Sequence, residues 1–185
     1  DKDEKEKYVW QTSWGLSTRV IGAIVMIHGD DKGLVLPPMI APVQIVVVTI
    51  FFKSDKERVI QKAKEVVKEL KAKKYTVELD DREEYTPGWK FNEWEMRGIP
   101  LRIEIGPNDV KADQVVFVRR DTNEKSIVKT KDLGKEAENI LEDIQDSLFR
   151  KAKENLNHAV LEVHNFDDFN NAIKSKKIVK ALFCG

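Results

Sequence analysis

The sequence has little cysteine and no excess of charge of either sign. Its 185 residues include one cysteine, Cys184, so no disulfide can form within the chain, and we expect a reducing, cytoplasmic environment. Lys and Arg number 32, as do Asp and Glu, which gives a formal net charge of +0. This balance provides no overall positive field for binding DNA or an anionic membrane, so any site for a polyanion must be local.

Long hydrophobic runs are also missing. The longest, VQIVVVTIFF at Val43 to Phe52, is too short to cross a bilayer, and the charged start DKDEKEK is unlike a signal peptide. Hydrophobic residues make up 41% of the chain and charged residues 35%, which is typical of a globular protein that buries a core. We therefore expect a soluble protein of one large domain or two small ones.

The first half of the chain has the pattern of a parallel α/β unit. The run Val43 to Phe52 is typical of a strand buried on both faces. Ser54 and Glu57 form a predicted capping box, and apolar residues then recur at helical spacing up to Lys74. Residues 75–79 alternate like the next strand, so strand, helix and strand predict a right-handed crossover.

The second half predicts a helix and three further strands before a long helix. Thr86, Pro87 and Gly98 delimit a short helix from Pro87 to Arg97. The strand 101–105 alternates apolar residues with Arg102 and Glu104, which therefore point to one face. A hairpin (115–118 and 125–129) and an amphipathic helix (133–152) complete the order βαβαβββα, and beyond Asn157 a strand, a helix and a strand (159–163, 167–174 and 178–183) begin another unit.

A cluster of hydroxyl side chains ends in an arginine near the start of the chain. Its members are Thr12, Ser13, Ser17, Thr18 and Arg19, just before the apolar run VIGAIVMI. The planar guanidinium suits phosphate, and hydroxyls beside it could orient a nucleotide. The alternative is a helix-capping cluster with a surface arginine.

The HGDD sequence that follows contains metal-binding residue types. His28, Asp30 and Asp31 have a spacing that is poor for a metal site, whereas Asp-Asp-Lys-Gly between two apolar segments is typical of a turn. We interpret HGDDKGLVLPP as structural.

Three stretches together resemble one family. QTSWGLSTRVIGAIVMIHGDDKGLVLPP resembles the third signature motif of class II prolyl-tRNA synthetases of the archaeal and eukaryotic type. DDREEYTPGWKFNEWEMRGIPLRIEIGPNDV resembles the anticodon-binding domain of that family, and KSKKIVKALFCG resembles the entry into its zinc-binding module. The resemblance covers nearly the whole chain in the right order.

The resemblance implies the following domains. Residues 1–40 would close an antiparallel class II catalytic domain, with its last strand and helix. Residues 41–156 would form an anticodon-binding domain of class IIa, an α/β fold with a mixed five-stranded sheet and flanking helices. Residues 157–185 would begin a C-terminal zinc-associated domain. The family's first two signature motifs would lie upstream, so we expect the chain to be a fragment that does not activate proline by itself.

The resemblance also implies roles in the catalytic site. Arg19 would contact the ATP γ-phosphate, with Ser17 beside the nucleotide. Ser13, Trp14 and Gly15 would line the pocket for the prolyl ring, where Trp14 would supply a rigid apolar wall. Core packing is the alternative for Trp14. The cofactor would be ATP with Mg²⁺, and adenylation would depend mainly on positioning and charge stabilisation.

A second set of implied residues concerns the anticodon. Phe91, Glu95 and Arg102 match family positions that contact the anticodon, and Asn108 stands where a lysine is often found. An aromatic ring, a carboxylate and an arginine could stack on a base and read guanine, with which the family's proline anticodons end. The alternative is that Trp89, Phe91 and Trp94 pack on the sheet while Glu95 and Arg102 pair on the surface.

Other charged residues are candidates for phosphate contacts. Arg82 and Lys90 are plausible neighbours of phosphate, and the helix predicted from Asp55 to Lys74 could add a positive face, although a solvated face is its default meaning. The resemblance further implies that Cys184 would open a four-cysteine Zn²⁺ site whose other three ligands would lie downstream. One cysteine alone cannot hold the ion. His158 and His164 do not have the spacing of replacement ligands.

The resemblance therefore implies part of an enzyme that activates proline with ATP and transfers it to tRNA(Pro), with a homodimer implied by the class. One alternative is a free-standing, non-catalytic module that binds RNA. Another is a synthetase paralogue that acts as a regulator or as a hydrolytic editor of mischarged tRNA. The partners expected for the enzyme are tRNA(Pro), ATP and L-proline, with no membrane and no DNA.

Overall fold

A computed structural model describes residues 3, 5–6, 8–51 and 55–182 of the chain. It contains six α-helices and seven strands within those residues. The helices are α1 (Arg19–His28), α2 (Lys56–Ala72), α3 (Pro87–Met96), α4 (Pro107–Lys111), α5 (Leu133–Ala159) and α6 (Phe166–Lys174). The strands are β1 (Ile45–Thr49), β2 (Val77–Asp80), β3 (Leu101–Ile105), β4 (Gln114–Arg119), β5 (Lys125–Lys129), β6 (Val160–Glu162) and β7 (Ile178–Lys180).

The main sheet has five strands in the order β2-β1-β3-β4-β5. β1 lies parallel to both β2 and β3, whereas β3, β4 and β5 are antiparallel neighbours. This confirms the predicted α/β class and the mixed five-stranded sheet. One row of side chains across the sheet is Val46, Arg102, Val118 and Lys125, since these residues are successive partners in the register.

One face of the sheet is fully covered by α2 and α5. Ile45, Ile103 and Phe117 are completely buried on this face, where they pack against the apolar sides of the two helices. The helix residues are Val59, Ala63, Val66 and Leu70 from α2 and Leu133, Ala137 and Leu141 from α5. The apolar residues that recur at helical spacing in the sequence therefore face the core, as predicted.

The other face of the sheet is covered over only part of its width. Trp94 of α3 and Ile99 pack on Val46 and Val48 of β1, which forms a second and smaller core cluster. Towards β5 the same face opens to solvent, because Ile127 is 67% exposed. This partial cover leaves polar and charged side chains of β3 and β5 next to a shallow open surface.

The ends of α3 follow the predicted signals. The Thr86 hydroxyl accepts a hydrogen bond from the Trp89 backbone N–H at 3.4 Å, and Pro87 occupies the first turn. Gly98 follows the helix with a φ of 75°, a conformation that favours glycine. α3 therefore begins and ends where Thr86, Pro87 and Gly98 indicated.

Several boundaries differ from the predictions. The helix α4 was not predicted, because its five residues are too few to show helical spacing. α5 ends at Ala159 instead of Ala152. The domain boundary at residue 156 stays a prediction. Ser54, the predicted N-terminal residue of the capping box, lies outside the described residues.

The C-terminal part of the described chain forms a separate small sheet. β6 and β7 pair in parallel, and α6 connects them. The Asn165 side chain caps α6 by accepting from the Asp168 N–H at 2.8 Å. The predicted strand, helix and strand are thus present, although Phe183 lies outside the described residues. Across residues 3, 5–6, 8–51 and 55–182, we find no helix with the length and apolar character needed to span a membrane.

Candidate nucleic-acid interface

Phe91, Glu95 and Arg102 meet on the partly covered face of the sheet. Arg102 projects from β3 beneath α3, and its guanidinium carbon lies 4.5 Å from the centre of the Phe91 ring. Its Nη1 donates to Glu95 Oε1 at 3.2 Å. Phe91 and Glu95 are four residues apart on α3, so both side chains lie on one flank of the helix. The structure therefore brings together three of the four predicted anticodon residues.

Two further residues extend this cluster towards β5. Arg102 Nε donates to Glu104 Oε1 at 3.1 Å, and Lys125 Nζ donates to the other oxygen, Glu104 Oε2, at 3.2 Å. The Lys125 side chain is 58% exposed. Lys125 is not among the residues predicted from the sequence for this site. Only the register, which places Lys125 in one row with Arg102, could have indicated it.

Arg102 and Glu95 form an ion pair that is largely buried. The alternative that these two residues pair on the surface is therefore wrong. Arg102 is only 7% exposed, and the Glu95 side chain is 19% exposed. Removing one partner of an ion pair with so little exposure would leave a nearly buried charge, which is costly, whereas exposed pairs contribute little. The cluster therefore holds a carboxylate, a guanidinium and a ring together beside the open part of the face.

The opposite flank of α3 carries a buried charge network around Asp80, at the end of β2. The Asp80 carboxylate accepts from Arg82 Nε at 2.9 Å, from Arg82 Nη2 at 2.7 Å and from Trp94 Nε1 at 2.7 Å. Burial raises the pKa of this carboxyl, but the bonds from Arg82 and Trp94 and the charge of Lys90 outweigh it and lower the pKa to about 2. Asp80 therefore stays charged.

Lys90 does not have the exposure that a phosphate neighbour requires. Lys90 is 2% exposed, with Nζ 3.7 Å from Asp80 Oδ1, and burial lowers its pKa. Arg82 is engaged by Asp80 and by Glu93, whose Oε2 accepts from Nη2 at 2.6 Å. The prediction of a phosphate contact is therefore wrong for Lys90, which is buried in the core. For Arg82, whose side chain is 32% exposed, it stays a prediction, although two carboxylates already bind this residue.

The aromatic residues of α3 have different environments. Trp94 packs on the sheet as expected, and Phe91 is partly buried. Trp89 instead is 44% exposed and stacks on Tyr85, with 3.9 Å between ring centres. The expectation that Trp89 packs on the sheet is thus wrong, because its position in the first turn of α3 turns it away from β1.

Asn108 lies apart from the cluster. It is exposed in α4, which follows the C-terminal end of β3, whereas Arg102 is near the start of that strand. The N-terminal end of α4 is fixed by Asp109, whose Oδ2 accepts a hydrogen bond from the Gly106 N–H at 2.9 Å. A ligand that contacts both Arg102 and Asn108 would have to extend along β3.

The residues predicted to bind ATP and proline are all exposed. Ser13, Trp14, Gly15, Ser17 and Arg19 lie in the segment before α1 and at its start, and Trp14 is 93% exposed. Trp14 therefore does not pack in a core among the described residues, and this alternative is wrong. Their roles with ATP and proline stay predictions.

The HGDD sequence forms a turn, as expected. Asp30 and Gly33 exchange backbone hydrogen bonds of 3.1 Å in both directions, and the Asp30 carboxylate binds Arg120. Within the described ranges, no group of three or more His, Cys, Asp or Glu residues has the arrangement of a metal site. Cys184, the predicted zinc ligand, lies outside the described residues.

Comparison with known protein families gives a match over the part of the chain that contains the main sheet. Residues 44–140 match the family described as "Anticodon binding domain". The chain belongs to this family. The matched region runs from the residue before β1 into α5, and so contains the whole main sheet and the cluster around Arg102.

Curated relatives match over the whole chain. A proline--tRNA ligase of Natranaerobius thermophilus and one of Alkaliphilus oremlandii are each 49% identical over 186 residues. A proline--tRNA ligase of Thermofilum pendens is 44% identical over 187 residues. All of this chain is covered in each case, but only 38%, 38% and 39% of the relatives, so the chain spans about two fifths of their length.

Proposed function

We propose that this chain recognises the anticodon of tRNA(Pro) as part of a proline--tRNA ligase. The cluster of Phe91, Glu95 and Arg102 on the open sheet face carries the proposal, together with membership of the anticodon-binding domain family. The names of the curated relatives support the choice of proline.

Each residue of the cluster has a chemical role in this proposal. The Glu95 carboxylate accepts from the N1 and N2 hydrogens of guanine, which no other base offers as a pair. Arg102 donates to O6 or N7 or to phosphate, and Phe91 supplies a face for stacking. Arg102 also holds the Glu95 carboxylate in place before RNA arrives, since Nη1 already donates to Oε1.

The test is binding of an anticodon stem-loop RNA whose anticodon ends in two guanines. Glu95→Ala should weaken this binding by about 1 to 3 kcal/mol, and an RNA with adenines in place of the guanines should bind the unchanged chain more weakly by a similar amount. Fluorescence anisotropy at one fixed salt concentration measures both effects.

Glu84→Ala is the control. Glu84 is an exposed carboxylate two residues before Thr86, outside the cluster. Its removal should leave the preference for guanine unchanged. Equal affinity of Glu95→Ala and the unchanged chain for the guanine RNA would exclude the assignment of Glu95.

The remaining roles belong to the proposed whole enzyme. There, Arg19 and Ser17 would bind ATP, which acts with Mg²⁺, and Ser13, Trp14 and Gly15 would contact L-proline. The enzyme would be a cytoplasmic homodimer, and Cys184 would contribute to a structural Zn²⁺ site. Arg19→Ala in the whole enzyme should abolish proline-dependent pyrophosphate exchange while leaving stem-loop binding intact, because Arg19 is outside the cluster. Loss of stem-loop binding as well would contradict this separation of roles.

A further inference from the structure

The segment after α1 runs along the last turn of α3, where Glu95 is located. The Leu34 N–H donates to Met96 O at 3.0 Å, and the Leu36 N–H donates to Gly98 O at 3.1 Å. The backbones approach so closely that a Cβ on Gly33, whose φ is 131°, would lie 2.6 Å from Met96 O. The end of α3 is therefore fixed by residues far from it in sequence.

Arg120 joins this segment to the main chain of Glu95. Its Nε donates to the Glu95 carbonyl oxygen at 2.8 Å, and its Nη1 and Nη2 donate to the two oxygens of Asp30 at 2.8 and 2.7 Å. The Arg120 side chain is 2% exposed. Its hydrogen bonds also lower the pKa of Asp30 to about 2, so the pair stays ionised at neutral pH.

A second contact from the same turn reaches the Glu95 side chain. Lys32 Nζ lies 3.7 Å from Glu95 Oε2, the oxygen that Arg102 does not use. The carboxylate thus stands between Arg102 and Lys32, while its backbone carbonyl is held by Arg120. Three cations fix Glu95, and two of these contacts depend on the turn at 30–33.

We propose that Asp30 and Arg120 are positioning residues for base recognition by Glu95. The inference rests on the proposed function, in which Glu95 reads guanine. Two simultaneous hydrogen bonds to N1 and N2 require a carboxylate placed to within a fraction of an ångström, which supporting side chains provide. Asp30 orients the Arg120 guanidinium in a two-point pair, and Arg120 in turn fixes the last turn of α3 through the Glu95 carbonyl.

The experiment compares two stem-loop RNAs that differ by one amino group. One has guanine at the last anticodon position, and the other has inosine, which lacks the N2 amino group that the carboxylate would accept from. The ratio of the two dissociation constants reports on Glu95 placement, whereas a loss of folded protein would weaken both equally. We expect the unchanged chain to prefer guanine by about 10-fold.

Asp30→Asn and Arg120→Lys should each lower this ratio at least about 3-fold, because both lose the two-point ionic pair. Arg119→Lys is the matched control: it is the adjacent arginine, but it pairs with Asp121 and Asp143. It should leave the ratio unchanged. If Arg120→Lys does not fold, Asp30→Asn tests the proposal alone, since the Asp30 side chain is 43% exposed.

Glu95→Gln distinguishes the proposed function of Glu95 from the positioning role of Asp30 and Arg120. If this variant keeps the full preference for guanine, the proposed function of Glu95 fails. If Glu95→Gln removes the preference but Asp30→Asn and Arg120→Lys keep it, only the positioning role fails. The double variant Glu95→Gln with Arg120→Lys should show the same ratio as Glu95→Gln, and a further drop would show that Arg120 acts by another route.

Discussion

Trp94 Nε1 donates a 2.7 Å hydrogen bond to the Asp80 carboxylate, which is 1% exposed between α3 and the end of β2. The same carboxylate is the partner of Arg82 and the neighbour of buried Lys90. This relationship anchors α3 to the parallel half of the sheet, and α3 carries Phe91 and Glu95. The stability of the domain and the geometry of its candidate site therefore share one buried charge network.

Asp80→Asn should destabilise the protein and change how its stability depends on pH. At neutral pH the unfolding free energy should fall by about 3 kcal/mol, because Lys90 loses its buried counter-charge. The pKa of Asp80 is lowered to about 2 in the folded state, so its ionic contribution is present above the pKa of the unfolded chain and lost as pH falls towards about 2.

Urea unfolding at a series of pH values checks this prediction. The unchanged protein should lose about 2 kcal/mol more than Asp80→Asn between about pH 5 and about pH 2. Parallel pH profiles for the two proteins would contradict the assigned role of Asp80.

Gly33→Ala should destabilise the protein and impair RNA discrimination together. Alanine strains the backbone at a φ of 131°, and its Cβ would collide with the Met96 main chain. We expect a loss of about 1 to 3 kcal/mol in unfolding free energy. Gly88→Ala is the control, because among the described residues nothing lies within 4 Å of its added Cβ. Thermal unfolding of both variants should show a clear loss for Gly33→Ala alone.

Phe117→Ala should cost about 3 to 5 kcal/mol, since it opens a cavity beneath α2 and α5. Phe117 is completely buried, whereas Ile127 on the neighbouring strand is 67% exposed. Ile127→Ala should change the unfolding free energy by less than about 1 kcal/mol. Urea midpoints give both values, and similar losses would contradict the assigned faces of the sheet.

Arg102→Lys should weaken stem-loop binding even though it keeps the positive charge. Lysine cannot form the guanidinium contacts to Glu95 and Glu104 at once, and it loses the planar contact with Phe91. We expect about a 10-fold higher dissociation constant for the RNA with two guanines. Lys131→Arg, an exposed lysine after β5, serves as the control in the same anisotropy assay. An unchanged affinity of Arg102→Lys would show that only its charge matters.

The sequence predicted the elements of the fold where a local signal was strong. The β-branched run around β1, the helical spacing of α2 and the terminal residues Thr86 and Gly98 of α3 all predicted observed elements. The helix α4 was missed because five residues contain little periodic signal. The extra length of α5 was missed because its last turns are exposed and polar, so they lack an apolar stripe.

The candidate site was less predictable from the residues. Phe91, Glu95 and Arg102 were identified through a family resemblance, and the structure adds their contacts. The pair of Asp30 and Arg120 joins residues 90 positions apart, which no local pattern reveals. Lys90 is predicted as a neighbour of phosphate, and its burial beside the Asp80 carboxylate depends on a contact with another element that no local pattern shows.

Each edge strand of the main sheet has a feature that opposes pairing with a strand of another chain. β2 has only four residues, and β5 has a lysine at each end, Lys125 and Lys129. Short or lysine-bearing border strands discourage another polypeptide from adding itself to the sheet. The domain can therefore leave the part of its open face near β5 uncovered and still resist self-association through its strands.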